Sequence, residues 1–130
     1  MSHHRETVTA LGAPDAVGPY SHAVKSGGFL FCSGQTGVDP NTGELAGDSA
    51  GEQARRCLEN LQIVCAAGGT SLADAVRIGV FVTDMKTFKE VNEVYAAFFE
   101  SDPPARSTVG VAALPLGANV EMDAIVALPD

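Results

Sequence analysis

The sequence predicts an α+β protein in which two helices cover one face of a mixed β-sheet, in the chain order β-β-α-β-α-β-β. Two stretches carry apolar residues at the spacing of an amphipathic helix, and short apolar or β-branched stretches surround them. Two such helices can bury their apolar stripes against one face of a sheet. The length of 130 residues fits one domain. We therefore expect a single domain over residues 1–130, with residues 1–8 as a flexible terminus.

The first predicted element is a β-hairpin. Residues 21–25 and residues 29–33 are short stretches suited to strands, and the turn Ser26-Gly27-Gly28 lies between them. A second turn is predicted at Asp39-Pro40-Asn41-Thr42-Gly43, because Pro presets φ and Gly is free to take a positive φ.

The first helix is predicted from Ser49 to Ala67. Its apolar residues follow helical spacing at Ala54, Cys57, Leu58, Leu61, Val64 and Cys65. The pair Gly68-Gly69 ends it, since Gly tolerates the left-handed conformation that closes many helices. After a short turn over residues 71–74, the apolar and β-branched segment 76–83 predicts a buried strand.

The second helix is predicted to begin after Asp84 or Thr87, either of which can cap it. Its apolar face consists of Phe88, Val91, Tyr95 and Phe98. The prolines at 103–104 end it, because Pro cannot continue a helix and restricts the residue before it. Two strands follow, over residues 106–113 and 119–127.

The charge of the chain argues against nucleic acid as a partner. The formal net charge is -8 and the isoelectric point is about 4.7, without any run of Lys or Arg. Excess carboxylates repel phosphates. No apolar stretch approaches the ~20 residues of a membrane span, and residues 1–6 lack the apolar stretch of a signal peptide. We therefore expect a cytoplasmic protein with no membrane partner.

The cysteines do not predict a metal site or a disulfide framework. Cys32, Cys57 and Cys65 form an odd set without a C-x-x-C pair or a nearby His. Reduced, buried thiols are the expected state, and no metal ligand is assigned.

The last two strands carry the main candidate residues. Side chains alternate along a strand, so Arg106 and Thr108 point to one side of theirs. In the final strand Glu121 projects from the face opposite the apolar residues. If the two strands pair, the guanidinium of Arg106 can approach the carboxylate of Glu121 and leave room for a ligand. A guanidinium suits bidentate capture of a carboxylate. The pattern alone favours the alternative, a surface salt bridge worth ~0–1 kcal/mol.

Three further polar residues are candidates for ligand contact. Tyr20 follows the rigid Gly18-Pro19 corner and can form both a wall and a hydrogen bond, although half-buried packing is the commoner role of a lone Tyr. Ser33 ends a strand and either binds a ligand or closes a turn. Asn92 lies in the second helix, where most Asn side chains are solvated. His22 is interpreted as an ordinary strand residue.

These residues belong to motifs that follow one another along nearly the whole chain. The motifs are Gly18-Pro19-Tyr20-Ser21, Phe31-Cys32-Ser33-Gly34-Gln35, Val91-Asn92-Glu93-Val94-Tyr95, Pro104-Ala105-Arg106-Ser107-Thr108-Val109, Leu114-Pro115-Leu116-Gly117 and Val120-Glu121-Met122. In order and spacing the chain resembles the Rid (YjgF) family, specifically its RidA-type imine deaminases.

The resemblance implies a chorismate-mutase-like fold that assembles as a homotrimer, with the sheets forming a central barrel and the sites lying between subunits. It implies hydrolysis of 2-iminobutanoate, 2-iminopropanoate and similar 2-imino acids to 2-oxo acids and ammonia, without cofactor or metal. Arg106 matches the family's carboxylate-binding arginine and Glu121 the acidic residue that activates water. Tyr20, Ser33 and Asn92 match its other polar contacts.

Two departures from the family pattern stand out. Thr108 occupies a position where many RidA-type proteins have Cys, and the family uses this residue through its backbone. The segment between Phe99 and Pro104 is shorter than in some relatives, which affects the expected pocket size. The alternatives are a trimer that binds small carboxylates or keto acids without turnover, a ribonuclease or translation inhibitor, and a chaperone-like role.

Overall fold

The structure is a computed structural model that describes residues 4–130. Its strands are β1 (Glu6–Val8), β2 (Ala23–Ser26), β3 (Phe29–Thr36), β4 (Ala75–Val82), β5 (Ala105–Gly110) and β6 (Val120–Ala127). They form one six-stranded sheet in the order β1-β2-β3-β6-β4-β5. The helices are α1 (Ala50–Ala67) and α2 (Phe88–Phe98), and short 3₁₀ turns lie at Leu72–Asp74, Met85–Thr87 and Pro115–Gly117. The predicted α+β class, with a mixed sheet and two helices, is confirmed.

The N-terminal segment contains a strand that the sequence did not predict. Glu6–Val8 pair antiparallel with β2, so the expected flexible terminus is corrected over residues 6–8; residues 1–3 lie outside the described residues. The side chains of Val8 and Ala10 are buried in the core. A strand of three residues is too short to show a periodic pattern, and its burial depends on the hairpin beside it.

The two C-terminal strands are not neighbours in the sheet. β5 pairs in parallel with β4 at the edge, whereas β6 lies between β3 and β4 and runs antiparallel to both. A helical crossover such as α2 is the usual connection between parallel neighbours, which explains why β5 joins β4. The pairing of the last two strands that was considered from the sequence therefore does not occur.

The helices cover one face of the sheet and leave the other uncovered. The predicted apolar positions of α1 are all buried, and in β6 alternate residues are buried under the helices: Val120, Met122, Ala124 and Val126. Ser49 caps α1 with its hydroxyl, which accepts a hydrogen bond from the Glu52 backbone N–H at 3.1 Å. In the described part of the chain, neither helix is long and apolar enough to cross a membrane.

A β-bulge in β3 shapes the uncovered face. Cys32 pairs with Ala124 and Gln35 pairs with Met122, so three steps along β3 match two steps along β6. The extra residue falls at Ser33-Gly34, opposite Asp123. A bulge bends its strand locally and changes where side chains point, and here it lies at the edge of the cleft described below.

Candidate active site

A cleft of about 800 Å³ opens on the uncovered side of the sheet. It is lined on one side by the bulge of β3 and by Glu121 from β6, and on the other by the loop that precedes β2 and by the turn that precedes β6. Three of the predicted site residues, Tyr20, Ser33 and Glu121, line this cleft.

The carboxylate of Glu121 lies directly against the backbone of Gly34. A Cβ at position 34 would overlap this carboxylate, with only 2.9 Å to its Cδ. Partial burial and then the negative charge of Asp123 raise the pKa of Glu121 above its ordinary value. Asp123 itself accepts a hydrogen bond from the Gly79 N–H at 3.1 Å. Both effects favour the protonated form of Glu121 and make it a better proton acceptor once ionised.

Ser33 is held by the chain around it. Its hydroxyl donates to the Ser21 carbonyl oxygen at 2.6 Å, and its backbone N–H donates to the His22 carbonyl oxygen at 3.0 Å. Because the hydroxyl proton is already used, only the lone pairs of its oxygen remain for a ligand. Ser33 thus fixes the bulge to the segment before β2.

Tyr20 forms part of the cleft wall with its side chain 46% exposed. Its phenol oxygen accepts a hydrogen bond from the Val17 N–H at 3.3 Å, and its own N–H donates to the Gly18 carbonyl oxygen at 2.8 Å. The Gly18-Pro19 corner therefore places the ring, while its phenol proton stays available to a ligand.

His22 has a part in the cleft that the sequence did not indicate. Its buried ring accepts a hydrogen bond from the Ala10 N–H at Nδ1 (2.9 Å), and its Nε2 lies 2.8 Å from the Pro14 carbonyl oxygen. These partners require a neutral ring with its proton on Nε2. The ring thereby fastens residues 10–14, of which residues 11–14 line the cleft. A single His in a strand-like stretch carries no sequence signal for such a role.

The guanidinium of Arg106 lies in a second cluster, under α2. Its Cζ is 4.7 Å from the centre of the Tyr95 ring and 5.7 Å from that of Phe88, both within the range of cation–π attraction. Among residues 4–130 no carboxylate oxygen lies within 4.0 Å of its nitrogens. The surface salt bridge considered from the sequence is therefore not formed, and the charge is available to an anion.

Two buried hydroxyl groups near this arginine have no hydrogen-bond partner among the described residues, namely those of Tyr95 and Thr108. Burial raises the pKa of the Tyr95 phenol, and the charge of Arg106 partly opposes this shift. Asn92 is half-buried and precedes Tyr95 by three positions, so it lies on the same side of α2.

The predicted site residues therefore fall into two groups on opposite sides of the sheet. Arg106 is in register with Ile78 of β4, a residue buried under the helices, and Thr108 follows on the same face. Glu121 alternates with the buried Val120 and Met122 and so projects from the uncovered face. The expectation that Arg106 and Glu121 share one polar face is corrected, because β4 separates their strands and the alternation of the two strands places them on opposite faces.

The cysteines contribute no polar group to the cleft. Cys32, Cys57 and Cys65 are free thiols and buried in the core. Within residues 4–130 no cluster of three or more His, Cys, Asp or Glu side chains is placed to hold a metal ion.

The fold and the cleft define a small α+β protein of a type known from crystal structures. RidA from the Antarctic bacterium Psychrobacter sp. superimposes with a TM-score of 0.90 at 43% identity, covering 95% of this chain and 99% of that one. TdcF from E. coli, solved with bound serine, superimposes with a TM-score of 0.89 at 38% identity and covers 95% of this chain and 99% of its own.

The sequence comparisons give the family. The model of the family described as Endoribonuclease L-PSP matches residues 10–128. A RutC family protein of Sinorhizobium fredii is 47% identical over 95% of this chain and 98% of its own length. The 2-iminobutanoate/2-iminopropanoate deaminase of Mus musculus is 40% identical over 93% of this chain and 90% of its own. The chain belongs to the endoribonuclease L-PSP family, which is the Rid (YjgF) family that its sequence resembles.

Proposed function

We propose that this protein is an imine deaminase that hydrolyses 2-iminobutanoate, 2-iminopropanoate and similar 2-imino acids to 2-oxo acids and ammonia. The observation that carries the proposal is the free guanidinium of Arg106, stacked on Tyr95 and without a carboxylate partner among the described residues. Such a group suits the carboxylate of a small acid. The name of the mouse relative and the serine in TdcF support the same class of ligand.

The complete site forms between two copies of the chain. Arg106, Thr108 and Asn92 belong to one copy, and Tyr20, Ser33 and Glu121 to its neighbour, since one chain has these groups on opposite faces of its sheet. We infer a homotrimer whose uncovered sheet faces form a central barrel. The apolar side chains on that face support such an assembly: Phe31 and Val109 are each 44% exposed, and Phe81 and Ile125 are half-buried beside them.

The reaction requires one well-placed water and one proton acceptor. The substrate carboxylate binds Arg106, which directs the imine carbon toward Glu121 of the neighbouring copy. Glu121 accepts a proton from water as the water oxygen attacks that carbon, and the imine nitrogen becomes an amine. Glu121 then returns the proton to the nitrogen. The carbon–nitrogen bond breaks, ammonia leaves with the hydroxyl proton as ammonium, and the carbonyl of the 2-oxo acid remains.

The electrophile in this scheme is the protonated imine itself. Its cationic nitrogen withdraws electrons from the carbon, so the protein supplies orientation and proton transfer. Tyr20 borders the reacting group and its phenol proton can be donated to the developing carbinolamine oxygen, whereas Thr108 contributes through its backbone. The net charge of -8 argues against RNA as the substrate of this family member.

The test uses a threonine dehydratase to generate 2-iminobutanoate in the presence of this protein. Wild type accelerates release of the 2-oxo acid, and Arg106→Ala loses at least ~100-fold of that acceleration, because a charged hydrogen-bonding partner of the substrate is gone. Arg55→Ala, at an exposed arginine of α1, serves as the matched control and keeps full activity. Binding of 2-oxobutanoate without any acceleration would instead favour a non-catalytic binding protein.

A further inference from the structure

Arg106 lies on the strand at the end of the sheet, where the sheet supports its side chain from one side. β5 is the last strand in the order and pairs with β4, with Arg106 in register with Ile78. An arginine side chain is long and flexible, and fixing it in one conformation costs side-chain entropy. Another element must therefore hold the guanidinium if it is to meet a ligand in one orientation.

Helix α2 supplies this support with the ring of Tyr95. The Cζ of Arg106 lies over this ring, 4.7 Å from its centre, which is inside the cation–π range of about 6 Å. Phe88 is a second ring at 5.7 Å, and its side chain is 36% exposed. Tyr95 is therefore the closer and the more deeply buried of the two rings that contact the guanidinium.

The ring of Tyr95 is itself held in place. The residue is 7% exposed and belongs to the hydrophobic core of the domain. The ring of Phe99 packs against it with the two ring centres 4.7 Å apart and the planes at 42°. Aromatic rings at this separation attract each other. Because the Tyr95 ring has little freedom to move, the guanidinium that stacks on it is also restricted.

Contact with a ring face leaves the hydrogen-bond donors of the guanidinium free. The N–H groups of arginine lie in the plane of the guanidinium, so a ring against one face takes none of them. Bidentate binding of a carboxylate uses the edge of this plane and depends on the direction of the edge. In residues 4–130 no carboxylate forms an ion pair with Arg106. The arrangement suits a guanidinium that is oriented in advance for an external carboxylate.

The hydroxyl of Tyr95 is not required for this support. It is buried and has no hydrogen-bond partner in the part of the chain that the structure describes. The cation–π contact involves the ring alone, and a phenylalanine ring provides it as well. The ring and the hydroxyl can therefore be tested separately.

We propose that Tyr95 is a positioning residue whose ring holds Arg106 in the orientation that receives the substrate carboxylate. This inference rests on the proposed function and adds a residue to its binding site. The carboxylate stays bound from the substrate complex to the transition state. Loss of the ring therefore weakens binding at both stages, so KM rises much more than kcat falls.

The experiment measures kcat and KM for the dehydratase-generated imine, and Kd for 2-oxobutanoate by calorimetry. Tyr95→Leu removes the ring and should raise KM and Kd roughly 10-fold, with kcat within about threefold of wild type. Tyr95→Phe keeps the ring and should restore both constants to within about twofold of wild type. If Tyr95→Leu does not fold, Tyr95→Met is measured in the same way, because the flexible methionine side chain fills irregular space in a core.

Val64→Ala is the control for a general loss of stability. Val64 is buried in α1, so the variant lowers the melting temperature through the core and should leave KM and Kd unchanged. Unchanged KM and Kd in the folded variant without the ring, or an equal loss in Tyr95→Phe, overturns this inference and leaves the deaminase function standing. Absence of hydrolysis in wild type overturns the proposed function, whereas Arg106-dependent binding of 2-oxobutanoate that weakens in Tyr95→Leu still supports the positioning role.

Discussion

Arg106 and Glu121 project from opposite faces of one sheet: the guanidinium of Arg106 packs on Tyr95 under α2, whereas the carboxylate of Glu121 rests against Gly34 on the uncovered side. One substrate a few atoms long cannot contact both groups of the same copy. The roles proposed for the two residues therefore require two copies of the chain to meet.

The first prediction concerns mixed assemblies. Arg106→Ala and Glu121→Ala are each inactive alone, but trimers that contain both recover activity, because one intact site forms where a copy with Arg106 meets a copy with Glu121. In a closed ring of three, every mixed trimer has one intact site of three, so about a third of the wild-type activity is expected. Co-expression of the two variants with different affinity tags, followed by tandem purification and the dehydratase assay, measures this recovery.

The control is the double variant Arg106→Ala/Glu121→Ala co-expressed with wild type. It shows how much activity is lost when inactive copies are mixed with active ones. If each single variant is inactive and verified mixed trimers show no recovery, the two residues do not complete one site across neighbouring copies.

The second prediction concerns the pH dependence of hydrolysis. Glu121 accepts a proton only when ionised, and burial together with the charge of Asp123 raises its pKa. Activity therefore falls as the pH decreases through this raised pKa. Asp123→Asn keeps the acceptor for the Gly79 N–H but removes the charge, so the pKa of Glu121 falls and the acid limb of the kcat/KM profile moves to lower pH.

The profile is measured after subtraction of the spontaneous hydrolysis at each pH. Asp130→Asn, at an exposed terminal residue, should leave the limb where it is in wild type. A limb that stays in place in Asp123→Asn would mean that another group limits the reaction on the acid side.

The third prediction concerns the close approach of Glu121 to the β3 bulge. In Gly34→Ala the new Cβ overlaps the Glu121 carboxylate and displaces it. We expect kcat to fall ~100-fold, since a displacement of about 1 Å at a reacting group has this effect. Gly110→Ala, in which the new Cβ meets the flexible side chain of Met85 at 3.3 Å, should retain most of its activity. Steady-state kinetics and a melting curve for both variants separate this effect from a loss of folding.

The fourth prediction concerns the buried hydroxyl of Thr108, which has no hydrogen-bond partner among the described residues. Thr108→Val replaces this hydroxyl by a methyl group of similar size and should stabilise the protein by about 1 kcal/mol, because an unsatisfied buried polar group is removed. Turnover should change little, since the contribution proposed for Thr108 is made by its backbone. Denaturant unfolding tests this; a less stable Thr108→Val would indicate that the hydroxyl finds a partner in the assembled protein.

Local patterns predicted the secondary structure well. The apolar spacing and the Gly68-Gly69 pair predicted α1 to within one residue of its observed bounds, and the alternation in β6 correctly identified Val120 and Met122 as buried. The order of the strands could not be obtained in this way, because alternation assigns a residue to a face relative to its own strand neighbours and does not say which strand pairs with which. The sequence therefore placed Arg106 and Glu121 on one face, although each was correctly described within its own strand.

Neither the hydrogen bonds of His22 nor the positive φ of Leu116 could be predicted from the sequence. His22 bonds to the Ala10 N–H and the Pro14 carbonyl oxygen, which only the fold brings near its ring, and the φ of Leu116 lies in a region that leucine rarely adopts. A side chain that bonds to distant backbone leaves no spacing rule in the sequence.

The charged residues around the cleft favour one orientation of a bound molecule. Of the residues 4–130 that line it, Glu121 and Asp15 carry charge, and both are acidic. In the proposed function, this negative field attracts the protonated imine end of the substrate, while the substrate carboxylate turns toward Arg106 of the next copy. Hydrolysis removes the cationic end and leaves a plain anion in an acidic surrounding. In the proposed reaction, the same two carboxylates that attract the substrate therefore repel the 2-oxo acid, which favours its release.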